Sequence, residues 1–121
     1  MALAVAEGGL EKKALNVVIL DVRGRIDYAD YVVVMAGRSD RQVQAIARGV
    51  EEHLGRALGR EPLAVEGRGV GQWVLMDYGD VVVHVFHEDA RGYYDLESFW
   101  LDAARVPLPA ALTGAAREVD A

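Results

Sequence analysis

Two stretches of this chain, LNVVILDV (residues 15–22) and YVVVMA (31–36), are almost unbroken in apolar residues, most of them β-branched. No other feature constrains the fold as much. A strand with one wet face alternates apolar and polar side chains, because neighbours point to opposite sides. A run without that alternation needs cover on both sides, so both stretches belong inside a sheet with other elements packed on it. Gly37 stops the second run.

The period then changes. In SDRQVQAIARGVEEHLGRAL (39–58) the apolar positions Val43, Ile46, Ala47, Val50, Leu54 and Leu58 are spaced by three and four, one stripe of a helix. Arg41, Gln44, Arg48, Glu51, Glu52 and Arg56 take the other side. Ser39 and Gln42 match a capping box, Gly59 is a natural stop, and Pro62 forces extended chain. PLAVEG (62–67) reads as a short strand and GRGVG (67–71) as a flexible link. WVLMDYGDVVVHVF (73–86) is a hairpin, with two strands around the turn Asp77-Tyr78-Gly79-Asp80. DLESFWLDAA (95–104) reads as a last helix, capped by Asp95, with Leu96, Phe99, Trp100 and Ala103 on one side. Val106-Pro107 ends it.

The expected organisation is a short helix or arm over 1–14, a single α/β domain over 15–105, and a mobile Ala-rich tail over 106–121. The fold class is α/β (α+β), a mixed sheet of about five strands with helices packed on it. A chain of 121 residues fits one domain and needs no staples. There are no cysteines, hence no disulfide framework and no thiolate metal site. Lys and Arg number 13 against 19 Asp and Glu, a net charge of −6. Gripping phosphates needs clustered cations, so the balance suits a basic partner better than nucleic acid alone. The opening MALAVAEGGL lacks a basic start and Glu7 interrupts it, so it is not read as a signal peptide. No run is long enough for a membrane span, and a soluble, cytoplasmic protein is expected.

Four kinds of chemistry can be tested against the residues. His84 and His87 are three apart, an odd spacing that sends them to opposite faces of a strand, so they do not pair on a metal. GRSD (37–40) follows a strand and opens a helix, where bare amides can hold an anion. It resembles the Gly-Ser turn of nucleotidyltransferases, but no DxD pair follows to hold magnesium. Among nucleophiles, Ser39 is a cap, Ser98 lies in the last helix, Thr113 lies in the tail, and no GxSxG elbow occurs. Acid–base work by His84 with Asp77 or Asp80 stays open beside a structural role for that histidine. What remains is aromatic. Trp73 begins a strand beside a glycine link, where burial is partial, and such rings are typical anchors for protein partners.

The segments KKALNVVILDV, DYVVVMAGRSDRQVQAIA, Glu66-Gly67, WVLMDYGDVVVHVF and YYDLESFW, in that order, resemble the ribosomal silencing factor family, also called Iojap-like proteins. The likeness runs from Lys12 to Ala103. Its signature positions here are Trp73, Asp77, Gly79, Asp80, His84, Arg91, Tyr94, Leu96, Glu97 and Trp100. The resemblance implies a non-enzymatic protein, without cofactor or metal, whose fold is related to nucleotidyltransferases but lacks their catalytic acids. It implies binding to the large ribosomal subunit through the ribosomal protein numbered fourteen, which blocks subunit joining and lowers translation when nutrients are short. It places partner contacts on Trp73, Asp77, Tyr78, His84, Tyr94, Glu97 and Trp100. Ala29, Arg38 and Asn16 depart from the family pattern. Two other readings stand beside this one. The first is a small magnesium-dependent nucleotidyltransferase-like enzyme using Ser39, Asp40 and Asp77 or Asp80. The second is self-association of the free protein into a homodimer through the same patch.

Overall fold

A computed structural model describes residues 1–69, 72–90 and 103–109. Helix α1 spans Ala2–Leu10, followed by strands β1 (Leu15–Asp21) and β2 (Tyr31–Gly37), helix α2 (Asp40–Leu58), and strands β3 (Ala64–Glu66), β4 (Trp73–Asp77), β5 (Val81–His87) and β6 (Ala104–Val106). They form one open mixed sheet in the order β3-β4-β5-β2-β1-β6. Only the central pair β2 and β5 is parallel; the other pairings are antiparallel. A parallel pair needs a long crossover, and α2 lies within the one that joins β2 to β5.

The apolar runs are buried as their composition requires. Ile19, Val33, Met35, Val83 and Val85 face α1 and α2 in one core cluster; Leu20, Val32, Val34, Ala36 and Phe86 form a second cluster on the other face. Fully burying each such side chain is worth about 1.5–3 kcal/mol, and alternation divides the gain between the faces. Asn16 takes a left-handed φ of 51° in β1. The β1–β2 register slips between Leu15 and Val18. Asn is among the few side chains that tolerate that region.

Helix α2 starts and stops where its caps place it. Ser39 Oγ accepts from Gln42 N–H at 3.1 Å. At the other end Gly59, at φ 61°, donates to the Gly55 carbonyl, and Arg60 N–H reaches the Leu54 carbonyl at 3.1 Å. Val43, Ile46, Val50 and Leu54 are buried. Leu58, expected on the same stripe, is 48% exposed at the end of the helix. Helix α1 packs on α2 through glycine: a Cβ on Gly8 would lie 2.9 Å from Val50 Cα.

The expected hairpin is present as β4 and β5. The sixth strand is new. Ala104, assigned above to the end of a helix, opens β6, which pairs with β1 at Ile19↔Val106 and Asp21↔Ala104. Most of that expected helix, residues 95–102, lies outside the described residues. Among the described residues no helix is long and apolar enough to cross a membrane.

Candidate functional site

Alternation along β4 turns Val74 and Met76 into the helix-side core and sends Trp73, Leu75 and Asp77 to the opposite face. The antiparallel register sets Trp73 against Phe86, Leu75 against His84 and Asp77 against Val82. The Trp73 ring stacks on Phe86 at 4.8 Å between centroids, and the rings of His84 and Phe86 lie 6° from parallel. Trp73 Nε1 donates to His84 Nδ1 at 3.1 Å. Trp73 is therefore 47% exposed yet held at both its face and its polar edge. Burial pushes the His84 imidazole down to about 4, so it is neutral at neutral pH. With Nδ1 accepting, its proton sits on Nε2.

Beside the indole lies a shallow recess of about 230 Å³, lined by Glu66, Gly67, Trp73 and Leu75. Gly67 has φ 88°, and a Cβ there would lie 2.0 Å from the Trp73 carbonyl oxygen. Only glycine fits that approach. Gln72, the residue before the ring, reaches across to hydrogen-bond Asp40 at the start of α2.

The other expected contact residues are placed differently. Asp77 Oδ1 accepts from Gly79 N–H at 2.8 Å, so the carboxylate shapes the hairpin turn from the edge of the same face. Tyr78 is a correction. It was expected among the exposed contact residues but is 2% exposed inside the helix-side core, away from the Trp73 face. Burial pushes its phenol up to about 12, and its hydroxyl finds no hydrogen-bond partner among the described residues. Tyr94, Glu97 and Trp100 lie outside the described residues.

The chemical alternatives come apart in space. His84 faces Trp73, while His87 sits on the other side of β5 with Nε2 4.0 Å from Asp40. Ser39 and Asp40 follow Gly37, which pairs with His87 at one end of β5; Asp77 pairs with Val82 at the other. Five strand residues separate the two ends by roughly 16 Å, too far for one magnesium ion to bridge. Asp80 is engaged elsewhere. Burial pushes its carboxyl up, but the Arg60 hydrogen bond at 3.0 Å and charge bring it below the usual carboxylate range. Among the described residues no three His, Asp or Glu side chains are gathered as a metal would need.

Phe86 and Gly67 complete the site and were not among the contact residues expected from the sequence. Counting from a turn at Asp77–Asp80 would set Trp73 opposite His84; the observed register is shifted by two residues and sets it against Phe86, so that contact was not legible from the turn. Nothing local announces the approach of Gly67 to a carbonyl on the next strand.

All 121 residues match the profile of a family described as "Ribosomal silencing factor during starvation". The chain is 46% identical over 93 residues to the ribosomal silencing factor of Bacillus subtilis, covering 77% of this chain and 78% of that protein. It is 44% identical over 103 residues to the one from Halalkalibacterium halodurans, covering 85% and 87%. The chloroplastic protein Iojap of Zea mays is 30% identical over 89% of this chain and 46% of its own length. A crystal structure of a Bacillus halodurans protein superposes with a TM-score of 0.76 at 42% identity, over 88% of this chain and 94% of that one.

Proposed function

The chain belongs to the ribosomal silencing factor family, and from that premise we propose that it docks on the large ribosomal subunit, through the ribosomal protein numbered fourteen, and keeps the small subunit from joining. The family is one of regulators, not enzymes. Silencing on this reading needs no bond made or broken; it needs occupancy of the joining face, which lowers translation when nutrients are short.

The observation that supports this most is the state of Trp73, exposed over 47% of its surface but fixed by Phe86 and His84. A large ring ordered before contact loses little entropy on binding, which is what a central anchor requires. Trp73 is the anchor, His84 its brace, and Asp77 the residue that holds the turn beside it. Tyr94, Glu97 and Trp100 are proposed as further contacts on the resemblance alone. A patch of about 800 Å² per partner is enough for specific binding. The net charge of −6 favours encounter with a basic ribosomal protein. The same apolar face could pair two copies of the free protein, in competition with the ribosome.

Sedimentation of purified large and small subunits with the protein tests the reading. Co-migration with the large subunit and fewer joined ribosomes are expected. No co-migration removes the proposal. Unchanged co-migration of Trp73→Ala removes that residue from the interface.

A further inference from the structure

Four exposed cations come together at one corner of the molecule. Lys12, Lys13, Arg38 and Arg41 are all exposed. Among the described residues none of the four enters an ion pair, whereas Arg23, Arg56, Arg60 and Arg68 each do. Gln42 ties their backbones together. Its side-chain oxygen accepts from Arg38 N–H at 2.6 Å, and its side-chain nitrogen donates to the carbonyls of Lys12 and Lys13 at 3.4 and 3.1 Å. Lys13 is held at φ 63°, a region L side chains rarely adopt. The stem of Lys12 runs over Gly49 of α2, where a Cβ would come within 2.6 Å of Lys12 Cγ. The backbones of two lysines are thus fixed at the start of α2, which Arg38 precedes and whose first turn carries Arg41. Three acids border these cations: Asp40 is engaged by Gln72 and faces His87 at 4.0 Å, Glu11 lies beside His53 and Arg56, and Glu88 donates its N–H to the Gly37 carbonyl at 2.8 Å.

We propose that this corner contacts the phosphate backbone of ribosomal RNA beside the docked protein, an inference that rests on the ribosome-binding reading above. Phosphodiesters are the polyanion on a ribosome, and arginine and lysine are the side chains that neutralise them. The position is right: Gln72 joins the corner directly to the strand that begins with Trp73, so both lie at one end of the sheet. The overall charge of −6 opposes free nucleic-acid binding, but it is an average. With the ring anchored, phosphates within a Debye length of about 8 Å respond to the local cations. A basic protein surface would be repelled here; an acidic one is the alternative the test must separate.

The test is the affinity for purified large subunits measured from about 50 to 200 mM salt. Two double variants, Lys12→Gln with Lys13→Gln and Arg38→Gln with Arg41→Gln, are made separately and together. All four side chains are exposed, and circular dichroism checks each fold. The four-site variant should lower the slope of log affinity against log salt by about 3, and each pair by about half of that. Trp73→Ala should weaken binding and leave the slope alone. An unchanged slope in the four-site variant, with the unaltered protein binding, overturns the RNA contact and leaves the docking reading standing. The same loss of slope on the isolated ribosomal protein numbered fourteen, free of RNA, overturns it in favour of a protein partner. If the unaltered protein fails to bind subunits at all, both readings fall.

Discussion

Trp73 has both an exposed face and a satisfied N–H, and the second depends on His84 staying neutral. Truncating a central anchor of this kind costs about 2 kcal/mol or more, so Trp73→Ala should weaken large-subunit binding roughly thirtyfold with little loss of fold stability. Isothermal titration and urea unfolding of the same preparation measure the two effects, and an equal loss in both would make the ring structural. His84 adds a pH dependence. Its folded imidazole is held down to about 4 by burial, while the unfolded value is near 6.5. Between those values the unfolded chain takes up a proton that the folded chain refuses. Stability is therefore full above pH about 6.5 and falls as pH drops toward about 4, by at most about 3 kcal/mol. His84→Phe should flatten that decline in urea midpoints taken across the range. A decline of unchanged steepness would assign the effect to other groups. This residue was legible in part: its strand follows from WVLMDYGDVVVHVF, but its register against Leu75 and its tautomer need the cross-strand contacts to be seen. Tyr78 was misread although the signal was there. Alternation continued one residue past Asp77 puts it with Val74 and Met76 in the core.

Elements legible in the sequence are those whose own residues decide them. β1 and β2 follow from unbroken β-branched runs, and α2 from a stripe with a cap at Ser39 and a glycine stop at Gly59. The pieces decided by distant partners were not legible. β6 is three residues long and exists because β1 offers Ile19 to Asp21 as an edge. Leu58 obeys the stripe but sits exposed at the helix end, where continuing the pattern gains no burial. The β3–β4 connection is the sharpest case. GRGVG reads as a flexible link, yet Gln44 donates to the Arg68 carbonyl at 2.8 Å and Glu51 pairs with the Arg68 guanidinium. Gly67 makes its close approach to Trp73 at the start of that link. Gly67→Ala should therefore both strain the backbone and push the Trp73 carbonyl. A loss of about 1–3 kcal/mol in urea unfolding is expected, with weaker large-subunit binding on top. Gly69→Ala is the control, because a Cβ at Gly69 meets nothing within 4 Å. Equal behaviour of the two variants would show that the link tolerates side chains and does not set the position of the ring.

At the scale of the whole molecule, α1 and α2 cover one face of the sheet; on the other a second core cluster is buried, and Trp73 stands 47% exposed at its rim. One patch around Trp73 cannot hold a second copy of the chain and a ribosomal protein at once. If free protein pairs through Trp73, the two equilibria are linked: each large subunit bound removes a monomer and draws dimers apart. Sedimentation velocity over a concentration series should then show a dimer that Trp73→Ala abolishes. Substoichiometric large subunits should lower the dimer fraction by mass action, in proportion to the subunits bound. The apparent affinity for subunits should fall as protein concentration rises through the dimer range, because the competent monomer becomes a smaller fraction of the total. A dimer that survives Trp73→Ala, or that rides intact on the large subunit, would place self-association on another surface. The edge strand β3, with Leu63 beside it 76% exposed, is where that search would begin.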